Sequence, residues 1–220
     1  MSLTVKIYFA CSLIVFSSCE KEEEGTSVMD IDGNTYKTVT IGNQTWMAEN
    51  LRTTTYKDGT PITHEEDKFA WRELTTEAYC WYNNDETTYG HTYGAIYNYY
   101  AVETQNLCPD GWHVATHDEW DILREYLSNN GHAGNEGIAL KAKTGWEGNG
   151  NGTDDYGFSA LPSGVLNGSF DGIGYSVFWW VTGQATDDGS IAKYLSWEQS
   201  DIHQIGINKS VGYSVRCVSD

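Results

Sequence analysis

Residues 107–120 gather a thiol, two imidazoles and three carboxylates: Cys108, Asp110, His113, His117, Asp118 and Glu119. Such side chains can ligate a metal or carry thiol or acid–base chemistry. The spacing argues against a metal. His113 and His117 stand four apart, but a zinc-binding pair at that distance needs both on one helical face. Here the residues between them span the turn ahead of a helix. Pro109-Asp110-Gly111 reads as that turn. Thr116 and Glu119 then form a Thr-x-x-Glu capping box, in which the Thr hydroxyl accepts from the Glu amide and the carboxylate reaches back. The helix so opened is the one convincing amphipathic segment. Trp120, Leu123 and Leu127 fall on one face with Ile122 and Tyr126 beside it, and Asn129-Asn130-Gly131 supplies the stop. At the start of such a helix His117 reads as a solvated residue. The stretch is scaffold, and the helix is what the remaining elements pack on.

Those elements are short strands and glycine-rich loops. Residues 37–41 alternate, Gly42-Asn43 is a hairpin signal with Gly placed for a II′ turn, and Gln44 to Met47 return. Residues 65–77 are polar, with Phe69, Trp71 and Leu74 as anchors, and read as an irregular excursion or short helix. Residues 79–82 read as a strand edge. Residues 93–102 are densely aromatic, which suits core packing more than a sugar-stacking platform. A second short helix is expected over 137–143, anchored by Trp146. The strands that follow are expected at 175–181, 192–197, 202–207 and 213–218, the last two pairing across Asn208-Lys209-Ser210.

The sequence has 220 residues with 9 Trp, 15 Tyr, 23 Gly and only 3 Pro. Abundant aromatics and glycines around one clear helix imply a loop-rich α+β domain large enough for a real core. A formal charge of −18 excludes partners that present phosphate backbones, so no nucleic acid is expected.

The first eighteen residues read as a leader: Lys6, an apolar run over 7–16 too short for a membrane span, then Ser17-Ser18 before Cys19. This resembles the lipobox of bacterial lipoproteins, although Phe16 stands where Leu is usual. The resemblance implies lipidation at Cys19 and a membrane partner through the lipid anchor. Residues 19–29 begin with an acidic run, Glu20-Lys21-Glu22-Glu23-Glu24, expected to be a disordered tether. It resembles the signal that sends lipoproteins of Bacteroidota-type bacteria to the outer face of the outer membrane. In an exported protein at least two of Cys80, Cys108 and Cys217 should pair. Cys108 with Cys217 is the preferred pair, leaving Cys80 as a buried free thiol; sequence alone leaves the other pairings open.

Several blocks, in order over residues 30–220, resemble the Fibrobacter succinogenes major paralogous domain. They are Asp32-Gly33-Asn34-Thr35-Tyr36, Gly42-Asn43-Gln44-Thr45-Trp46-Met47-Ala48-Glu49-Asn50-Leu51, Cys80-Trp81-Tyr82-Asn83-Asn84-Asp85, Leu107-Cys108-Pro109-Asp110-Gly111-Trp112-His113-Val114, Phe158-Ser159-Ala160-Leu161-Pro162 and Ser214-Val215-Arg216-Cys217-Val218. Ala115 departs from the usual Pro and Tyr99 from a common Trp. That family is similar in its motifs to the C-type lectin-like fold and its formylglycine-generating relatives. The resemblance implies a C-type lectin-like α+β domain with short antiparallel strands, one main helix and long loops, on a surface lipoprotein. It brings no activity with it.

No catalytic constellation or cofactor motif is present, and the chain is read as non-enzymatic; a vestigial formylglycine-generating enzyme ranks below that reading. Adhesion or recognition of a glycan or surface protein is expected, on loops carried by a rigid scaffold. The aromatic candidates for ligand contact are Trp71, Trp146, Trp179 and Trp197. Trp179 and Trp180 are consecutive in a strand, so their rings face opposite ways; one is expected in the core and the other at the surface. Asn149, Asn151, Asp154 and Asp155 offer oxygen donors on a flexible loop, a weak calcium candidate, since the same residues build plain turns. The other class of function is a structural or assembly component with no small ligand. A concavity shared by loops 147–155 and 182–190 would favour a ligand, and its absence would favour assembly.

Overall fold

The computed structural model describes residues 26–186 and 189–220. The leader, Cys19 and the acidic run lie outside the described residues. In chain order the strands are β1 (Ser27–Met29), β2 (Thr35–Ile41), β3 (Gln44–Met47), β4 (Tyr79–Cys80), β5 (Ile96–Tyr97), β6 (Trp112–Val114), β7 (Ser163–Leu166), β8 (Phe170–Ile173), β9 (Ser176–Ala185), β10 (Gly189–Ser196), β11 (His203–Asn208) and β12 (Cys217–Ser219). The helices are α1 (Lys68–Arg72), α2 (His91–Tyr93), α3 (Tyr99–Glu103), α4 (His117–Leu127) and α5 (Glu136–Leu140).

Alternation and turn chemistry form the hairpin as expected. β2 and β3 pair from Thr38↔Met47 to Ile41↔Gln44. Gly42 has φ 65° whereas Asn43 is not among the positive-φ residues, the combination a II′ turn requires. A side chain at Gly42 would also meet the Tyr126 ring at 2.8 Å, so the glycine serves both the turn and its close approach to α4. Ser27–Met29, expected to belong to the tether, instead forms β1 and pairs with Thr35 to Lys37 of β2. The ordered sheet therefore starts earlier than the acidic composition suggested.

One five-stranded sheet runs β1-β2-β3-β12-β6, so the C-terminal strand is inserted between two earlier ones. A second runs β11-β10-β9-β7-β8, and β4 pairs with β5. The pairing anticipated between 202–207 and 213–218 does not form. β11 pairs with β10, while Cys217 and Val218 lie opposite Val114 and His113 of β6. Burial explains the difference. Val211, Tyr213 and Val215 are all buried, and Tyr213 exchanges backbone bonds with Tyr97, so the segment threads the core and does not fold back as a hairpin.

α4 lies in that core. Its capping box is complete: the Glu119 amide donates to Thr116 Oγ1 at 3.1 Å and the Thr116 amide to Glu119 Oε2 at 2.8 Å. Trp120, Leu123 and Leu127 are buried, whereas Ile122 is exposed. Trp120 sits in an aromatic box, its ring 5.1 Å from Trp46, 5.8 Å from Phe158 and 5.2 Å from Trp179. Trp179 and Trp180 do point to opposite faces of β9, but both are fully buried. The sheet is covered on each side, so neither ring reaches the surface. In the 65–77 excursion, Trp71 of α1 is buried while Phe69 is 73% exposed; two residues apart on a helix face about 200° apart, so α1 can bury only one of them.

Candidate functional site

The residues that could do chemistry are taken up by structure. Cys108 and Cys217 form a disulfide, and Cys80 is free and buried, its thiol pushed up by burial and by Glu65. His113 is clasped from both sides: Nδ1 lies 2.6 Å from Asp220 Oδ1 and Nε2 2.9 Å from Glu119 Oε1. His117 goes elsewhere, to Gln204 Oε1 at 3.0 Å. The two imidazoles therefore do not converge, and among the described residues no three His, Cys, Asp or Glu side chains are grouped to hold a metal ion.

Three of the four candidate tryptophans are corrected by their burial. Trp71 donates to the Ser210 carbonyl, Trp146 to that of Ala160 and Trp179 to Asn50 Oδ1. Each has its ring in the core and its N–H bonded, so none offers a face to a ligand.

Trp197 differs. β9 and β10 pair Trp179 with Lys193, Val177 with Leu195 and Ser176 with Ser196. Side chains two apart share a face, so Tyr175 and Trp197 extend the row of Val177 and Leu195, beyond the end of the ladder. Val177 and Leu195 are buried beside α4; where that cover ends, Tyr175 and Trp197 emerge 47% and 36% exposed. Their rings pack edge to face at 6.1 Å, and the Trp197 amide donates to the Tyr175 carbonyl at 2.9 Å. The glycine loop fits closely over Trp197: an added Cβ at Gly148 would stand 2.2 Å from the ring, and one at Gly150 2.7 Å from its Cβ. Glu147 donates through its amide to the Gly174 carbonyl, which places its carboxylate stem beside the Tyr175 turn.

A buried ammonium fixes this corner from beneath. Lys141 is fully buried and donates to the carbonyls of Ser196 and Gln199 at 2.6 and 2.7 Å, on either side of Trp197. Its Nζ also lies 4.9 Å from the centre of the Trp146 ring. Burial pulls its pKa down to about 8, which leaves it mostly charged at neutral pH. Neither Tyr175 nor Lys141 is distinguishable by sequence: the first looks like one more strand aromatic, the second like a helix-end lysine.

Three of the four residues proposed for calcium spend side-chain oxygens on hydrogen bonds within the fold. Asn151 Oδ1 accepts from the Trp146 amide, Asp154 accepts from the amide and hydroxyl of Ser159, and Asp155 accepts from the Thr153 hydroxyl. Asn149 has φ 64°, a conformation Asn tolerates in turns. The loop is a set of turns that carries Gly148 and Gly150 to Trp197. Nor, among the described residues, do segments 147–155 and 182–190 share a concavity; most of the second lies in the β9–β10 hairpin. The loop of Gly148 and Gly150 packs at the Trp197 end of β10, while the described residues of 182–190 lie at its Gly189 end, about 26 Å away for eight residues of strand. A hollow of about 620 Å³ lies at the Gly189 end, and the described residues that line it, among them Thr186, Ile191 and Ile207, include no ionisable side chain.

The model of the Fibrobacter succinogenes major domain matches residues 39–219. The chain belongs to this family. No curated protein and no solved structure matches it. As a member of the Fibrobacter succinogenes major domain family, it carries the matched region through all three sheets, from β2 to β12.

Proposed function

We propose that this chain is a lipid-anchored outer-membrane protein, exposed at the cell surface, whose C-type lectin-like domain recognises a glycan through Tyr175 and Trp197. The lipobox-like residues before Cys19 and the acidic run after it support the location. The capped helix beside a sheet that joins both ends of the domain supports the lectin-like reading. The observation that carries the function is the emergence of the Tyr175–Trp197 pair from a rigid core. Aromatic faces beside carboxylates and amides suit sugar C–H surfaces and hydroxyls. Glu147 and Asn149 belong to the loop that packs over Trp197, and Glu198 follows Trp197 in the chain.

The domain works by binding and not by catalysis. Formylglycine-type chemistry needs reactive thiols, and here two cysteines are bonded to each other and Cys80 is buried. A second reading, a surface assembly component without a small ligand, is favoured by one observation: among the described residues, segments 147–155 and 182–190 flank no common cleft. A glycan array separates the two. Array binding lost in Trp197→Ala with an unchanged melting temperature supports glycan recognition; a silent array alongside a self-associating domain supports assembly.

A further inference from the structure

A cleft of about 500 Å³ opens away from Trp197, between the β1–β2 turn, the segment after β3 and the 86–91 turns; its walls include Asp32, Asn34, Thr54, Trp81, Glu86 and His91. We propose that this cleft is a second binding site, and that it takes an amino sugar: a ring of hydroxyls bearing one ammonium group.

The unused hydrogen-bonding capacity defines the ligand. The Thr53 hydroxyl and the amide and hydroxyl of Thr54 all donate to Asp32 Oδ2, and Oδ1 accepts from neither. Asn34 donates through its backbone N–H and its side-chain amide to Asp30, which leaves its side-chain Oδ1 open. The Glu86 carboxylate and the His91 imidazole make no hydrogen bond among the described residues. The Trp81 indole N–H also donates to no described residue. The cleft thus presents several acceptors and a few donors, the complement of a polyol.

Charge narrows the class. Asp32 and Glu86 have no cation within ion-pair distance among the described residues. Arg52 lines the same cleft, but its charge is committed: Nη1 lies 3.0 Å from Glu49, Nη2 donates to the Thr35 carbonyl, and the guanidinium stacks 4.5 Å over Tyr36. Burial raises the Asp32 pKa, but the hydrogen bonds from Thr54, Thr55 and Thr53 outweigh it and hold the carboxyl below its usual value. Two uncompensated carboxylates attract an ammonium group and repel uronate, sialate or phosphate.

The test is calorimetric titration of the purified chain with glucosamine, N-acetylglucosamine, glucuronate and putrescine, with saturation-transfer NMR to confirm contact. Glucosamine is expected to bind about tenfold or more tightly than N-acetylglucosamine, the difference one well-placed charge makes, and glucuronate not at all. Glu86→Gln removes a charge that supports no fold contact. It should weaken glucosamine several-fold at an unchanged melting temperature, while Trp197→Ala leaves glucosamine binding intact. Absence of glucosamine binding, equal affinity for N-acetylglucosamine, indifference to Glu86→Gln, or putrescine binding as tightly as glucosamine would overturn the assignment. Loss of array binding in Trp197→Ala is a separate readout, so either site can fail without the other.

Discussion

Asn50 Oδ1 accepts two hydrogen bonds from the guanidinium of Arg216, at 3.2 and 3.0 Å, across 166 residues of chain. The same oxygen accepts from Trp179 Nε1 at 2.8 Å, and the Asn50 amide donates to the Tyr93 carbonyl at 2.9 Å. Arg216 is buried without a carboxylate in contact. Its Nη1 donates to the carbonyls of Met47 and Phe158, and its plane lies 4.3 Å from the Phe158 ring centre. Burial draws its pKa down to about 9, against the pull of Glu49 and Asp154, so it remains a cation at neutral pH. One neutral amide thus joins the β3 exit, the C-terminal segment and β9.

Asn50→Ala should therefore be among the most damaging single changes in the chain. It leaves a buried cation short of its main acceptor and orphans the Trp179 N–H. A hydrogen bond to a charged group contributes about 1.5–3 kcal/mol. Urea unfolding followed by tryptophan fluorescence should show a drop of that size; a drop below about 1 kcal/mol, the value of an ordinary hydrogen bond, would mean that water replaces Asn50 and that the site is not sealed.

The disulfide closes a loop with a sequence separation of 109 and ties the start of the β6 segment to β12. Loops of that length give a stabilisation of about 2–5 kcal/mol through the unfolded state. The double variant Cys108→Ala/Cys217→Ala should lose this amount in urea yet keep the native circular dichroism spectrum. In the native parent protein, Cys80 should resist thiol-specific labelling until denaturant is added.

How much of this was readable in the residues depends on how local each cause is. The Thr116–Glu119 box, the row Trp120, Leu123 and Leu127, and the Gly42–Asn43 turn are set by neighbours within one or two turns of chain, and all formed as expected. Exposure is not local. Trp71, Trp146, Trp179 and Trp197 occupy similar polar or strand contexts, and only the end of the cover over β9 and β10 separates Trp197 from the others. The destination of β12 was equally hidden, because it depends on an opening between β3 and β6 that no segment of sequence describes. The Asp32–Trp81–Glu86 cleft comes from three distant segments, each ordinary in isolation.

His113 gives the fold a pH dependence whose sign can be worked out. Burial lowers its pKa, but the bonds and charges of Asp220 and Glu119 outweigh burial and raise it above 6.5. A raised pKa in the folded state means stabilisation that is complete below about pH 6.5 and lost as pH rises through the folded value. The group is partly exposed, so the effect should stay within about 1 kcal/mol. His113→Gln should accordingly destabilise more at pH 5.5 than at pH 8.5 in paired urea titrations; an equal effect at both would show that the clasp acts through packing alone.

Lys141 offers a way to test the rigidity of the Trp197 corner without touching its surface. Lys141→Met keeps a long apolar stem against Trp146 but removes the donor to the Ser196 and Gln199 carbonyls. Hydrogen bonds to a charged group contribute about 1.5–3 kcal/mol each, while relief from burying an unpaired ammonium offsets part of that loss. The net change in global stability should therefore be small. The local consequence should not be. Freed from beneath, the turn that carries Trp197 should exchange its amide hydrogens faster, as segments of low local stability do, while exchange in α4 stays as it was. If aromatic preorganisation supports binding at this corner, the array signal should fall in Lys141→Met through a faster off-rate, as expected when a site must be ordered on binding. Unchanged exchange over residues 196–199 would show that the Gly148–Gly150 loop alone suffices to hold the ring.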